Sequence, residues 1–205
     1  MASIALIGGT GNVGRRILAE ALRRGHTVTV VARKPAQDLG QDGVSFVEGD
    51  IAADPTGLGA RLAGHDALVS SARFASVTAQ HVLDTARAAG IRRVLVVGGA
   101  ASLEVAPGVR LLDSPQFPEA YKSEAVPGAQ FLADLRGVSD IDWTFFSPAA
   151  DFHAGERTGT FRLGGDAFLT DADGKSAISY EDYAVALLDE IETPAHVRQR
   201  FSIAY

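Results

Sequence analysis

The first 33 residues constrain the chain most. Ser3-Ile4-Ala5-Leu6-Ile7 is a short apolar run with the length and branching of a buried strand. It passes directly into Gly8-Gly9-Thr10-Gly11-Asn12-Val13-Gly14. Arg15 to Arg24 then reads as a helix with Ile17, Leu18, Ala21 and Leu22 on one face, and Gly25 stands where glycine stops helices. Thr27-Val28-Thr29-Val30-Val31 is a second, β-branched strand, and Ala32-Arg33-Lys34-Pro35 closes the unit. Strand, glycine turn, helix and strand within about 30 residues predict a βαβ frame.

Each glycine of that turn has a physical task. Gly8 lets the chain turn off the strand, Gly11 leaves room for a ligand against the backbone, and Gly14 lets the helix pack close to the sheet. The free N–H groups at the helix start then face whatever sits over the turn, and a pyrophosphate suits them. Gly8, Thr10, Gly11, Asn12, Val13 and Gly14 are therefore candidate dinucleotide contacts. The plain alternative is an ordinary βα turn.

This heptad resembles the turn of the extended and atypical short-chain dehydrogenase/reductases. In such units an acid about 20 residues on binds the ribose 2′-hydroxyl of NAD, whereas arginine suits a 2′-phosphate. This chain has Arg33 and Lys34 there and no acid beside them, which favours NADP(H) over NAD(H). The competing reading is two solvated charges at a strand end.

Composition narrows the rest. The 205 residues are 46% hydrophobic and 21% charged, as expected of a globular chain with a sizeable core. A net charge of −6 without basic runs gives no reason to expect nucleic acid. Cysteine is absent, which removes disulfides, thiolate metal sites and cysteine nucleophiles, and no metal site is expected. No apolar run approaches membrane length and Ser3 to Ile7 is too short for a signal peptide, so a cytoplasmic setting is the expectation.

Further along, Val44-Ser45-Phe46-Val47 reads as a third strand ending at Glu48-Gly49-Asp50-Ile51. The resemblance implies that Asp50 and Ile51 flank the adenine; otherwise Asp50 caps a turn. Asp54-Pro55 looks like a helix start. Asp66 to Ala72 is a fourth strand, and its small exit residues Ser70, Ser71 and Ala72 leave room for a ligand at the strand's carboxyl end. Ser76 to Ala89 reads as a helix stopped by Gly90, with His81 given no role. Arg93 to Val97 is an apolar strand fit to be covered on both faces. Gly98 and Gly99 follow it, then Ser102.

Leu103 to Pro118 reads as an extended loop bordering a substrate pocket. The next helix opens at Tyr121-Lys122 and runs to Arg136, with Pro127-Gly128 expected to interrupt or kink it. Asp142 to Ala150 is a sixth strand and its exit. A small β excursion over Gly155 to Leu169, a short strand at Ser176 to Ile178, a helix begun by Ser179 and Asp182, and a last strand over Arg200 to Ala204 complete the chain.

The family's position for a carbonyl-binding serine falls on Ser102; alternatively, Ser102 is a loop serine bonding local backbone. Its nicotinamide-side proline falls on Pro148, beside Ala149. Its catalytic Tyr and Lys stand four residues apart on a helix face. Here Tyr121 and Lys122 are adjacent and point about 100° apart, so they do not copy the arrangement. Ser102, Tyr121 and Lys122 remain the candidates for catalysis, with tyrosine-dependent alcohol chemistry in doubt.

Several stretches together are similar to one atypical branch: the NAD(P)H-binding proteins named NADH-flavin reductases, related to biliverdin reductase B and NmrA-like proteins. They are Gly8–Gly14, Gly98–Val105, Asp142–Ala150, Gly155–Gly159 with Phe161–Gly164, and Ile178–Ala184. The resemblance implies an α/β, doubly wound, mainly parallel Rossmann sheet with helices on both faces and a small carboxyl-terminal cap. It implies one domain over residues 1–205, with substrate-side elements from about residue 150. The expected activity is hydride transfer from NADPH to a flat conjugated acceptor, a flavin or quinone. The alternative is a cofactor-binding redox sensor without turnover. A sugar-nucleotide epimerase or dehydratase fits less well, for want of the Tyr/Lys pair and a longer carboxyl half.

Overall fold

The computed structural model describes residues 1–34 and 42–205. Pro35, read above as closing the first unit, lies outside them. The chain runs β1 (Ser3–Ile7), α1 (Asn12–Arg23), β2 (Thr27–Ala32), β3 (Val44–Glu48), α2 (Pro55–Arg61), β4 (Ala67–Ser70), α3 (Ala79–Ala89) and β5 (Arg93–Val97). A hairpin follows, β6 (Glu104–Ala106) and β7 (Val109–Arg110), then α4 (Lys122–Arg136) and β8 (Asp142–Ser147). The carboxyl-terminal part holds β9 (Asp151–His153), β10 (Arg162–Gly164), β11 (Ala177–Ser179), α5 (Tyr180–Glu192) and β12 (Gln199–Ala204).

Eight strands form one sheet in the order β10-β12-β8-β5-β4-β1-β2-β3. Every pairing is parallel except that of β10 with β12. Strand order reverses beside β1, between β2 and β4, which is the switch point where ligands bind in such sheets. Successive residues of β1 face opposite layers. Ala5 and Ile7 pack with α2, α3 and α4 through Leu58, Val82 and Phe131. Ile4 and Leu6 pack with α1 and α5 through Ile17, Tyr183 and Leu187. A strand buried on both faces must be apolar throughout, which is why β1, β4 and β5 read as continuous runs. The short parallel pair β9–β11 forms the cap.

Four local expectations are corrected. Helix α1 begins at Asn12, three residues before Arg15, because Gly11 serves as its N-cap and Arg15 N–H donates to Gly11 O at 2.9 Å. Helix α3 begins at Ala79 rather than Ser76. Thr78 caps it, and His81 reaches back from the third helical position to accept Thr78 N–H at 3.2 Å. The 103–118 segment carries the β6–β7 hairpin and a 3-10 turn at Leu111–Asp113 instead of a structureless loop. Helix α4 runs unbroken through Pro127, and Gly128 there lies against Phe74, whose Cδ2 stands 2.9 Å from where a Cβ would be.

At α5, Ser179 Oγ accepts Asp182 N–H at 3.0 Å, but the acid does not return the bond. The Asp182 carboxylate instead accepts from Thr158 Oγ1, Gly159 N and Tyr205 OH, tying the 158–160 loop and the last strand to the helix.

Candidate functional site

A cavity of about 640 Å³ lies at the carboxyl ends of the strands. The exits of β4, β5 and β8 meet there: Ser71 and Ala72, Gly98 and Gly99, Pro148 and Ala149. Val13 at the start of α1 is a shared wall with the glycine turn. Phe74, Leu111, Phe117 and Phe152 supply apolar sides from four separate segments.

The turn has the geometry that its glycines require. Gly8 has φ +77°, and a Cβ on it would lie 2.4 Å from Ser71 O. A Cβ on Gly14 would lie 2.1 Å from Gly8 O, so helix and turn touch through that glycine. Gly11 differs. Its φ is −74°, its ψ 171°, and a Cβ would meet nothing nearer than Gly8 O at 3.3 Å. Neither backbone conformation nor internal packing demands glycine at an exposed position like this. The helix N-cap has no side-chain bond, and the N–H groups of Asn12, Val13 and Gly14 precede the first helical hydrogen bond. The space above Gly11 and those donors suit an anionic group held against the backbone, so the chain fits a dinucleotide there.

Beside the turn, Gly8 N–H donates to Val31 O at 3.2 Å, which brings the exit of β2 alongside. Arg33 and Lys34 follow and are exposed. Gly49 N–H donates to Ala32 O at 3.1 Å, so the exit of β3 lies next in line. Asp50 Oδ1 accepts Ala52 N–H at 3.0 Å in a local turn, and Ile51 is buried in the core with Leu58. Ser70 is buried at the end of β4 and does not line the cavity. Arg15 was not foreseen: its Nε donates to Thr10 O at 3.0 Å, setting a guanidinium beside the turn.

The candidate catalytic trio is divided. Ser102 and Tyr121 line the cavity; Lys122 does not, and its ammonium lies 2.7 Å from Glu119. Tyr121 sits at the cavity edge, 66% exposed, as the N-cap of α4. None of the other tyrosines lines this cavity. Tyr183 is fully buried, where burial raises its phenol well above the usual range and its OH donates to Phe146 O at 2.7 Å. Ser102 lies in a 3-10 turn after β5, and its Oγ accepts from Arg200 Nη1 at 3.3 Å. Burial lowers the Arg200 pKa, while hydrogen bonding to Asp166 pulls it back up.

The aromatic walls and Arg200 also went unforeseen. They carry no spacing signal, because they come from strand exits and loops far apart in the chain. One more unforeseen residue shapes the wall. Glu124 Oε1 accepts Phe74 N–H at 2.5 Å and Oε2 accepts Ala75 N–H at 3.3 Å.

A family profile described as NAD(P)H-binding matches residues 8–194. The chain belongs to this NAD(P)H-binding family. Similar solved structures span its whole length. A provisionally named exported protein from Burkholderia pseudomallei is 46% identical, with 100% of each chain covered and a TM-score of 0.91. A provisionally named epimerase from Bacteroides thetaiotaomicron is 40% identical, covering 100% of this chain and 97% of that one, with a TM-score of 0.94. A provisionally named NADH-flavin reductase from Streptococcus pneumoniae is 34% identical, covering 100% and 99%, with a TM-score of 0.88. Among the described residues no helix is long and apolar enough to cross a membrane.

Proposed function

We propose that this chain is an NADPH-dependent reductase of a flat conjugated acceptor, a flavin or a quinone. The observation that carries the reading is the cavity itself. Its sides are aromatic and aliphatic, and it adjoins the phosphate turn through Val13. Its polar groups include Ser102 and Tyr121, no lysine lines it, and Lys122 is paired with Glu119. That setting suits a ring that takes hydride with little help from a protein acid. The NADH-flavin reductase name carried by a relative 34% identical supports the same reading.

In this reading Gly8, Thr10, Gly11, Asn12, Val13 and Gly14 hold the pyrophosphate. Arg33 and Lys34 take the 2′-phosphate, which gives the preference for NADPH. Asp50 and Ile51 border the adenine through backbone and turn rather than through the buried Ile51 side chain. Ser71, Ala72, Gly98 and Gly99 form the floor, with Ser70 buried behind it at the end of β4, and Pro148 and Ala149 border the nicotinamide. Elements from about residue 150 onward, Phe152 among them, complete the substrate side of one domain. The bound nicotinamide supplies hydride. The chain's part is to bind both rings, keep water from between them and donate one hydrogen bond from Ser102.

The deciding experiment is steady-state NADPH oxidation with a panel of flavins and quinones. Turnover well above background with at least one acceptor is expected. Cofactor binding without turnover would favour a redox sensor. The epimerase name of one relative sets a third outcome, sugar-nucleotide isomerisation, which would need an acid–base pair that Ser102 and Tyr121 without Lys122 do not supply. A cytoplasmic setting goes with NADPH use; the exported-protein name of another relative makes cell fractionation the check.

A further inference from the structure

We propose that Arg200 is a positioning residue that makes the Ser102 hydroxyl a hydrogen-bond donor for a carbonyl of the acceptor; this rests on the acceptor reading above. Arg200 stands in β12 opposite Phe145 of β8, with its side chain 2% exposed. Its Nε donates to Asp166 Oδ1 at 2.6 Å and its Nη1 to Ser102 Oγ at 3.3 Å. A buried guanidinium therefore lies behind the cavity wall and reaches the wall through one hydroxyl.

A serine hydroxyl has one proton to give and two lone pairs to accept with. A guanidinium has no acceptor, so the bond from Arg200 runs one way and uses a Ser102 lone pair. Among the described residues nothing accepts the Ser102 proton, although the residue is only 7% exposed and lines the cavity. That proton is available to a ligand acceptor: a carbonyl oxygen, which only accepts, suits it best, a hydroxyl oxygen accepts it less well, and an ammonium cannot accept it. A cationic neighbour polarises the hydroxyl, so the bond strengthens as negative charge gathers on the ligand oxygen. Quinone reduction gathers such charge. Hydride taken from NADPH leaves NADP+, and the quinone becomes a hydroquinone monoanion. One solvent proton completes the hydroquinone, and Ser102 keeps its own proton throughout.

Removing Arg200 does not strand a buried charge. Asp166 is half exposed and retains Arg136 at 3.3 Å, so Arg200→Met is expected to fold. Arg200→Lys is the second variant: it keeps a buried cation without the forked reach to both partners.

The test is calorimetric binding of menadione and of its diol, menadiol, under anaerobic conditions to NADP+-loaded protein, with Ser102→Ala, Arg200→Met, Arg200→Lys and the Ser102→Ala/Arg200→Met double variant. The unmodified protein should prefer menadione. Ser102→Ala and each Arg200 variant should weaken menadione about 2- to 13-fold, the loss of one net hydrogen bond, and weaken menadiol, whose hydroxyls are poorer acceptors, by less. The double variant should be no weaker than the weaker single. An Arg200→Met loss that persists in full without Ser102, or that is equal for quinone and diol, would mean a structural role and overturn the proposal. Menadione that fails to bind the unmodified protein overturns it as well. Menadione that binds with the expected Arg200 dependence but is never reduced sinks the reductase reading alone. Turnover and binding that both ignore Arg200→Met sink this proposal alone.

Discussion

The carboxylate of Glu124 accepts the backbone N–H of Phe74 at 2.5 Å, tying the first turn of α4 to the loop that leaves β4. Two walls of the cavity are thus held together by one side chain. Charge-assisted hydrogen bonds are worth about 1.5–3 kcal/mol, and partial exposure of this one brings the expected value to ~1 kcal/mol. Glu124→Ala should lower Tm by about 2–4 °C. Acceptor KM should rise roughly fivefold while NADPH affinity stays within twofold. Equal losses for cofactor and acceptor would mean that the contact supports the whole sheet end rather than the cavity wall.

Gly11 separates a ligand requirement from a folding requirement. Its backbone is extended and its Cβ space nearly open, so Gly11→Val should keep Tm within a few degrees and abolish NADPH binding. Gly14→Ala is the contrast, because its Cβ would lie 2.1 Å from Gly8 O. That variant should lose stability by more than about 1 kcal/mol. Undiminished binding by Gly11→Val in calorimetry would mean that the turn has been assigned to the wrong ligand group.

Arg33 is exposed just past the end of β2, and in the proposed function it takes the 2′-phosphate. One charge-assisted contact is worth about 1.5–3 kcal/mol, or roughly 10- to 150-fold in affinity. Arg33→Ala should weaken NADPH by that factor and leave NADH unchanged. Equal affinity of the unmodified protein for the two cofactors would defeat the claim before any variant is made.

Glu20 carries a pH prediction. It is buried on α1 and its carboxylate accepts from Arg23, Arg24 and Arg157, at distances from 2.6 to 3.1 Å. Burial alone would raise its pKa; the hydrogen bonds from Arg23, Arg157 and Arg24 overcome that and hold the carboxyl far below the usual carboxylate range. A folded-state pKa below the unfolded one, ~4.3, gives stability that is fully present above that value and lost as pH falls below it. The Tm gap between the unmodified protein and Glu20→Gln should therefore be widest near neutral pH and narrow steadily below about pH 4. A gap independent of pH from neutral to strongly acid would show that the amide, not the lost charge, is responsible.

Much of the fold was legible because burial on both faces forces apolar strands: β1 and β5 fall on the residues expected from their runs alone. The glycine turn was legible too: Gly14 is required by its contact with Gly8 O inside the βαβ unit, and Gly8 by its positive φ and its close approach to Ser71 O at the exit of β4. What escaped is long-range. Phe74, Phe117 and Phe152 come to line one cavity only after β4, α4 and β9 have packed, and nothing in their spacing announces it. Arg200 looks like an ordinary charge at the start of a strand, yet β12 is paired with β8 and the side chain is delivered behind Ser102. The start of α1 is masked for a local reason: glycine is a poor helix former, so Gly11 to Gly14 read as turn although Gly11 caps a helix that includes the rest.

The last prediction concerns proton transfer. Tyr121 is the tyrosine that lines the cavity, but it stands at the rim, largely exposed, and the neighbouring Lys122 is engaged by Glu119 at 2.7 Å. The ammonium nearest in sequence is thus paired with a carboxylate. General acid–base help typically contributes about 10²–10⁴-fold, whereas an orienting hydrogen bond contributes only ~0.5–1.5 kcal/mol. Tyr121→Phe should thus retain at least roughly a tenth of the hydride-transfer rate, measured as single-turnover NADPH oxidation with the best acceptor. A fall of about a thousandfold with cofactor affinity intact would instead make Tyr121 a working acid, and reduction of an isolated carbonyl would replace reduction of a flat ring.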